Sequence, residues 1–387
     1  MGANSLKLPT SADVTVHLRV DTIQLLASLA SSASGLFIPN LASELGADNT
    51  VIGIIVAVYS AVAFVASYVF ARLSDVHGSR ILIKLGLGVC TATFFLQVFT
   101  DPHVFPPLLA NLGLLTLTRV LTGFSIGIFP AALTVYAYDR KEGLGRFSSF
   151  AALGNAVGSF IAGVIAVYYG VFILSSACFL LAFALSLRVK QVSAAGVKMP
   201  FLPRRILRKN WHIYTSFLLR HTGANCIWVI YPLYIASLGG DKFWIGVIYT
   251  ANLGTQFIVM LLLDRYKGSL LISMGLVIST VTFILFALAQ NFMWLVPMQL
   301  LLAVSWATLY IGSLTYLITN NAEKATSSGI LTSVISLSTV LGSLIGGILS
   351  QLFGYTATMY IGAIFAATGF LVYRSHQNNN ETMLTEG

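Results

Sequence analysis

The chain has 387 residues, of which 57% are hydrophobic and only 9% charged, and its mean hydropathy is +0.84. Soluble globular proteins carry about 25% charged residues, so a soluble enzyme is excluded: this much apolar surface needs lipid. The net charge of +9 would suit a nucleic-acid partner, but its placement along the chain argues against one.

Residues 1–16 are polar and lack the apolar core and cleavage site of a signal peptide. After them, apolar runs of the roughly 20 residues needed to cross a bilayer recur twelve times. The first half has expected spans at 18–43, 50–72, 80–99, 107–138, 146–167 and 169–188. The second has them at 211–238, 243–263, 269–289, 291–318, 327–350 and 354–373. The fourth run is too long for one straight helix, and Gly123, Gly127 and Pro130 are places for it to bend. The expected organisation is an all-α polytopic membrane protein. It has a six-helix bundle at 1–188, a basic cytoplasmic linker with a short surface helix at 189–210, a second bundle at 211–373, and a polar, unstructured cytoplasmic tail at 374–387.

The two bundles are related. Pro39 to Gly53 reads PNLASELGADNTVIG and Pro232 to Gly246 reads PLYIASLGGDKFWIG, with proline, Leu-Gly, Asp and Ile-Gly at matching positions. Each copy joins one apolar run to the next, as a tight polar turn between helices does. Gly145 to Gly163 likewise aligns without gaps on Gly329 to Gly347, and Gly170 on Gly354. Spans one to six thus correspond to seven to twelve. Since six is even, the halves insert in the same orientation, as parallel repeats about an axis along the membrane normal; such internal symmetry marks secondary transporters.

Of the 22 Lys and Arg residues, all but Arg119, Arg220 and Lys242 fall at the termini or in alternate loops, whereas the opposite loops carry Glu44, Asp48, Asp101 and Asp241. This bias places both termini in the cytoplasm of a plasma or inner membrane. The basic loops then face anionic headgroups, where each charge is worth about 1 kcal/mol, so the charge is answered by lipid and no nucleic acid is expected. Cys90, Cys178 and Cys226 lie inside apolar runs and read as packing residues.

Between spans two and three the chain reads Ala71-Arg72-Leu73-Ser74-Asp75-Val76-His77-Gly78-Ser79-Arg80. This loop resembles the signature of the major facilitator superfamily, a glycine followed by Asp-Arg-x-Gly-Arg-Arg/Lys. Asp75, Gly78 and Arg80 match, while Ala71, Val76 and Ser79 depart. The resemblance implies two pseudo-symmetric six-helix bundles and alternating access by their rocking. It also implies a gating latch of Asp75, Gly78 and Arg80, with Asp139 as partner of Arg80 and Asp264-Arg265 as the second-half counterpart. Arg119-Val120-Leu121-Thr122-Gly123 is similar to the family's Arg-x-x-x-Gly motif in the fourth helix, where the arginine is often tied to proton coupling; a structural arginine on neighbouring carbonyls is the alternative. Span five carries Gly154, Gly158 and Gly163, and span eleven carries Gly342, Gly346 and Gly347. Small residues let helix backbones approach, so these rows are expected to pack the halves together. The family's antiporter glycine motif has a proline where this chain has Ser159, so the row is no evidence for antiport.

Span seven holds Arg220 and His221. Eighteen residues separate Arg220 from Leu238, about 27 Å at 1.5 Å per residue, which sets Arg220 in the cytoplasmic part of the span. His221, Asn225, Trp228 and Pro232 share a helical face, as do Tyr249, Asn252 and Gln256 in span eight and Trp306, Tyr310 and Ser313 in span ten. By family analogy spans one, four, seven and ten line a central cavity. Beyond Asp21, at the inner end of span one, no Asp or Glu falls deep inside a span. A cavity lined by Arg119 and Arg220 without a carboxylate is electropositive and favours anions.

The leading expectation is therefore secondary transport of a small anion, with Arg119, Arg220, His221, Asn225, Trp228, Tyr249, Asn252, Gln256, Trp306 and Tyr310 as binding candidates. Asp21, His221 and Arg119 are the proton-coupling candidates. Proton-linked efflux of drugs or sugars stays open, as does a scaffold or receptor that keeps the fold without transporting. The expected partners are a small-molecule substrate, protons and the bilayer, with a monomer as the working unit. No motif for a metal, an ATP site or another cofactor is present.

Overall fold

The computed structural model describes residues 11–77, 79–139, 144–189, 204–263, 266–321 and 324–385, and every regular element among them is helical. The first half comprises α1 (Ser11–Leu36), α2 (Ile38–Glu44), α3 (Asn49–His77), α4 (Ser79–Leu96), α5 (Leu112–Ile128), α6 (Pro130–Asp139), α7 (Leu144–Ile165) and α8 (Tyr168–Ser186). After the short basic helix α9 (Arg204–Lys209) come α10 (Trp211–Trp228), α11 (Tyr231–Ser237), α12 (Lys242–Leu262), α13 (Gly268–Ala287), α14 (Leu295–Asn320) and α15 (Lys324–Thr385). Among the described residues, nine segments are long and apolar enough to span a membrane by themselves. Twelve result once α15 is divided at Gly354 and two others are added. These are α7, whose described apolar part is shorter, and α10–α11, interrupted by Arg220 and His221.

Prolines explain most of the breaks within spans. Pro39 and Pro232 open α2 and α11, and Pro130 opens α6 after a bend at Phe129. Each lacks the N–H that would continue the preceding helix. The fourth span begins later than its apolar run: residues 101–111 form a loop, and Asn111 caps α5 by accepting from Leu114 N–H at 2.9 Å. Two expectations need correcting. The tail does not lose its structure at residue 374, because α15 continues to Thr385. Gly170 and Gly354 are not structural equivalents: Gly354 breaks the helix with φ +80°, whereas Gly170 lies within α8 and the first-half break has Ala166 at φ +56°.

The opening repeat folds the same way twice. In each copy the proline starts a seven-residue helix, and the Leu-Gly pair ends it. Gly46 and Gly239 take φ of +90° and +89°. Each glycine then donates to a carbonyl three residues back (Ser43, Ala236) and the next residue to one five back (Ala42, Ile235), at 2.9–3.0 Å. This is the Schellman cap, whose left-handed position glycine adopts without strain. The Asp then caps the following helix: Asp48 accepts from Val51 N–H at 2.8 Å and Asp241 from Trp244 N–H at 2.9 Å.

At the end carrying these turns the halves are fused. A Cβ added to Gly53 of α3 would lie 2.5 Å from the Ser343 carbonyl and 2.9 Å from the Gly347 Cα of α15. One added to Gly246 of α12 would lie 2.7 Å from the Gly163 Cα of α7. Gly53 and Gly246 end the two copies of one repeat, and Gly163 and Gly347 end the two copies of the other. The internal symmetry therefore generates two like contacts. Of the six glycines expected between the halves, only Gly163 and Gly347 are there. Gly154 and Gly158 pack α7 on α1, and Gly342 and Gly346 pack α15 on α10, each within one half.

Polar contacts reinforce this closure. Asn49 N–H donates to Gln351 Oε1 at 3.0 Å. Lys242 Nζ lies 3.5 Å from Glu44 Oε1 and 3.7 Å from the centroid of the Tyr168 ring, whose hydroxyl donates to the same oxygen at 2.5 Å. Lys242, out of place in the charge pattern along the chain, thus joins the halves.

Toward the termini the cores separate. One core, at the turn end, mixes residues of both halves, such as Leu41, Ile52 and Phe172 with Ile230, Ile235 and Phe286. At the other end Ile83, Leu133 and Phe179 belong to a core of the first half alone, and Phe217, Leu276 and Leu331 to one of the second half alone. The molecule is closed at the turn end and divided at the terminal end.

Candidate functional site

Where the shared core gives way to separate ones, two cavities of about 280 and 260 Å³ adjoin, and Trp228 and Tyr249 line both. The larger lies between the halves. The first half supplies Ser31, Ser32 and Gly35 of α1, Tyr59 and Ser60 of α3, and Arg119 of α5. The second supplies Asn225 and Trp228 of α10, Pro232, Tyr249 of α12 and Ser343 of α15. Arg119 is 6% exposed, with Cζ 3.9 Å from the centroid of the Tyr59 ring, and its Nε has no hydrogen-bond partner among the described residues. An arginine facing lipid at mid-membrane costs about 2.5–3.5 kcal/mol on insertion scales. Here the charge faces a cavity and lies against an aromatic ring, a favourable cation–π arrangement.

The smaller cavity lies within the second half. Arg220, His221 and Trp228 of α10 face Tyr249, Asn252 and Gln256 of α12, with Leu302 and Trp306 of α14 closing it. Among the described residues, the hydrogen-bond partners of Arg220 are hydroxyls and not carbonyls. Its Nε donates to Ser279 Oγ at 2.6 Å and its Nη2 to Ser305 Oγ at 3.3 Å. The two serine hydroxyls are hydrogen-bonded to each other and lie 2.8 and 2.9 Å from the Gly275 carbonyl, which they share as an acceptor, so α13 and α14 hold the guanidinium in place. The His221 ring stacks on Trp306 at 4.7 Å, and its Nδ1 has no partner among the described residues. Gln256 Nε2 donates to Asn252 Oδ1 at 2.6 Å, and Asn252 Nδ2 to the Gln299 carbonyl at 3.1 Å.

Nine of the ten binding candidates read from the sequence line one or both cavities. The exception is Tyr310, which stacks behind Trp306 at 5.6 Å and 14° and supports it from outside the lining. Its partner in the same stripe, Ser313, is fully buried. Asp21 is buried as well, ten residues or about 15 Å along α1 from Ser31, and is not part of either lining. Among the described residues, no Asp or Glu lines either cavity. Sequence reasoning missed Tyr59, the lining serines of α1, α3 and α15, and the Ser279–Ser305 pair. In an apolar helix a serine also serves as a packing residue, so nothing local distinguishes the two roles. The expected latch falls largely outside the described residues: Gly78, Asp264 and Arg265 do so entirely, and Asp75 and Asp139 in their side chains. Arg80 lies in the first turn of α4.

The family model of the Major Facilitator Superfamily matches residues 21–327 and 213–382. An uncharacterised MFS-type transporter of Methanocaldococcus jannaschii is 25% identical, over 86% of this chain and 90% of its own length. Among solved structures, a bacterial homologue of the human lysosomal transporter Spinster, in an inward-facing and occupied conformation, aligns with a TM-score of 0.80 at 13% identity, covering 96% of this chain and 98% of its own. The nucleoside transporter NupG aligns with a TM-score of 0.73 at 11% identity, over 94% of this chain and 98% of its own. Two six-helix bundles, a duplicated chain, a chamber between the halves and a family match along nearly the whole length agree: this chain belongs to the major facilitator superfamily and is a multi-pass membrane transporter, not an enzyme.

Proposed function

We propose that this protein is a secondary transporter of a small organic anion, with its terminal end facing the cytoplasm. The observation that supports the charge of the substrate is the pairing of Arg119 and Arg220 on adjoining cavities whose linings contain no carboxylate. Neither guanidinium has an acidic partner among the described residues, so an incoming anion would supply the missing charge. The termini would face the cytoplasm because the basic residues cluster at that end. In the transport cycle the halves would rock about the Gly53–Gly347 and Gly163–Gly246 contacts, and the chamber would open alternately to each side.

Proton coupling would use His221, which faces the cavity beside Arg220 with an unpartnered Nδ1; Asp21 and Arg119 are the other candidates. The test is uptake into proteoliposomes of labelled monocarboxylates and dicarboxylates, a neutral sugar and a cationic dye. The expected result is saturable uptake of a carboxylate alone, reduced at least about tenfold in Arg220→Gln, the loss of one charged hydrogen-bonded contact. Dependence on an imposed pH gradient should disappear in His221→Gln while exchange without a gradient persists. Uptake of the sugar or dye in place of the carboxylates, or full carboxylate uptake by Arg220→Gln, would overturn the reading.

A further inference from the structure

We infer that the smaller cavity selects a flat conjugated ring carrying one anionic group, of which an aromatic carboxylate is the simplest case. This inference rests on the anion reading above and narrows it. Four rings, those of His221, Trp228, Tyr249 and Trp306, line the cavity. One wall is a layered stack: His221 lies on Trp306 at 4.7 Å and 28°, and Trp306 on Tyr310 at 5.6 Å and 14°. Trp306 is thus packed against two near-parallel rings, which fix its orientation. The other wall is the Trp228–Tyr249 pair, with centroids 5.0 Å apart at 61°. Aromatic faces and edges reward a flat π-system by offset or edge-on contact more than they reward a puckered ring of equal area.

The charge is set for the same ligand. Arg220 offers five N–H donors in one plane, and Ser279 and Ser305 engage only the Nε side and one Nη. The remaining edge suits a carboxylate, which a fixed planar fork recognises with geometry as well as charge. Arg220 Cζ lies 5.5 Å from the Trp306 ring centroid, so a carboxylate seated on Arg220 brings its own ring against the aromatic walls. A cavity of about 260 Å³ lies below the ~300–1,000 Å³ of pockets that hold drug-sized ligands. It therefore has room for one ring or two fused rings.

The experiment is calorimetric titration of the full-length protein in detergent with benzoate, cyclohexanecarboxylate, acetate and benzyl alcohol. Benzoate should bind about 3–10-fold more tightly than cyclohexanecarboxylate, the worth of one aromatic contact, and benzyl alcohol should not bind. Trp306→Leu should bring benzoate to the level of cyclohexanecarboxylate and leave the latter within about twofold; Trp306→Phe should restore the preference and so exclude misfolding. If acetate or cyclohexanecarboxylate binds as tightly as benzoate, the inference falls and the anion reading stands. If benzyl alcohol binds and the carboxylates do not, both fall. Absence of benzoate binding at millimolar concentration also overturns the inference.

Discussion

At Arg220 a single side chain is held by a pair of serines on two neighbouring helices. The Ser279 and Ser305 hydroxyls accept from the guanidinium, are hydrogen-bonded to each other and share the Gly275 carbonyl as an acceptor. Removing one leaves a buried charged donor without its acceptor, at a cost of about 1–3 kcal/mol. Ser279→Ala should therefore lower the unfolding temperature, and it should raise the substrate concentration for half-maximal uptake by freeing the arginine from its position. Unchanged thermal stability and uptake would show that the serines do not position it. Arg119 is a different case, because an aromatic ring carries it and its Nε is unpartnered among the described residues. Both arginines stand out in the sequence, since a cation in an apolar run is costly wherever it faces lipid. Their supports do not, since Ser279, Ser305 and Tyr59 are residue types that apolar helices use for packing.

The repeated turn shows how far an element is legible in its sequence. Proline, Leu-Gly, Asp and Ile-Gly recur because each has a fixed backbone role, respectively helix start, left-handed cap, helix cap and close approach. Asp48→Ala and Asp241→Ala should each cost about 0.5–2 kcal/mol, the worth of a helix cap, measured as a fall in the midpoint of thermal unfolding. A loss at only one of them would deny the equivalence of the two copies. The glycine rows are less legible. Spacing of three or four residues puts Gly154, Gly158 and Gly163 on related faces but does not name the neighbour, so four glycines expected between the halves pack within one. Tyr310 is misplaced for a similar reason: it shares a stripe with Trp306 yet lies one turn beyond the cavity.

The contacts that close the turn end differ in strength, and magnitudes decide which matters. The Lys242–Glu44 pair is partly exposed, so it is worth no more than about 1 kcal/mol. A methyl group forced into either glycine contact costs about 1–3 kcal/mol. Gly53→Ala and Gly246→Ala should thus shift the molecule toward opening at the turn end more than Lys242→Ala does. Spin-label distances across residues 49 and 351 would report this. A larger shift in Lys242→Ala would reverse this order.

Over the whole molecule, the described residues form one core shared by the halves at the turn end and two separate cores at the terminal end. Transport requires the opposite arrangement as well. A disulfide between Asn49→Cys and Gln351→Cys, whose native residues are hydrogen-bonded across the halves, should stop uptake until it is reduced. Full uptake with the bond intact would show that this end never opens. The two-bundle organisation is readable because it follows from twelve apolar runs and a duplicated pattern. The closed end is not, since apolar spacing does not say which state a two-state packing adopts.

The central claim is that the chamber is wet and electropositive. It is tested most directly by placing a cysteine at Ser343, in a chain whose three native cysteines have been replaced, and comparing its reaction with anionic and cationic methanethiosulfonate reagents of similar size. A chamber lined by Arg119 and Arg220 without a carboxylate predicts that the anionic reagent reacts faster by about tenfold or more, and that Arg119→Gln removes much of the difference. Equal rates, or a preference for the cationic reagent, would contradict it.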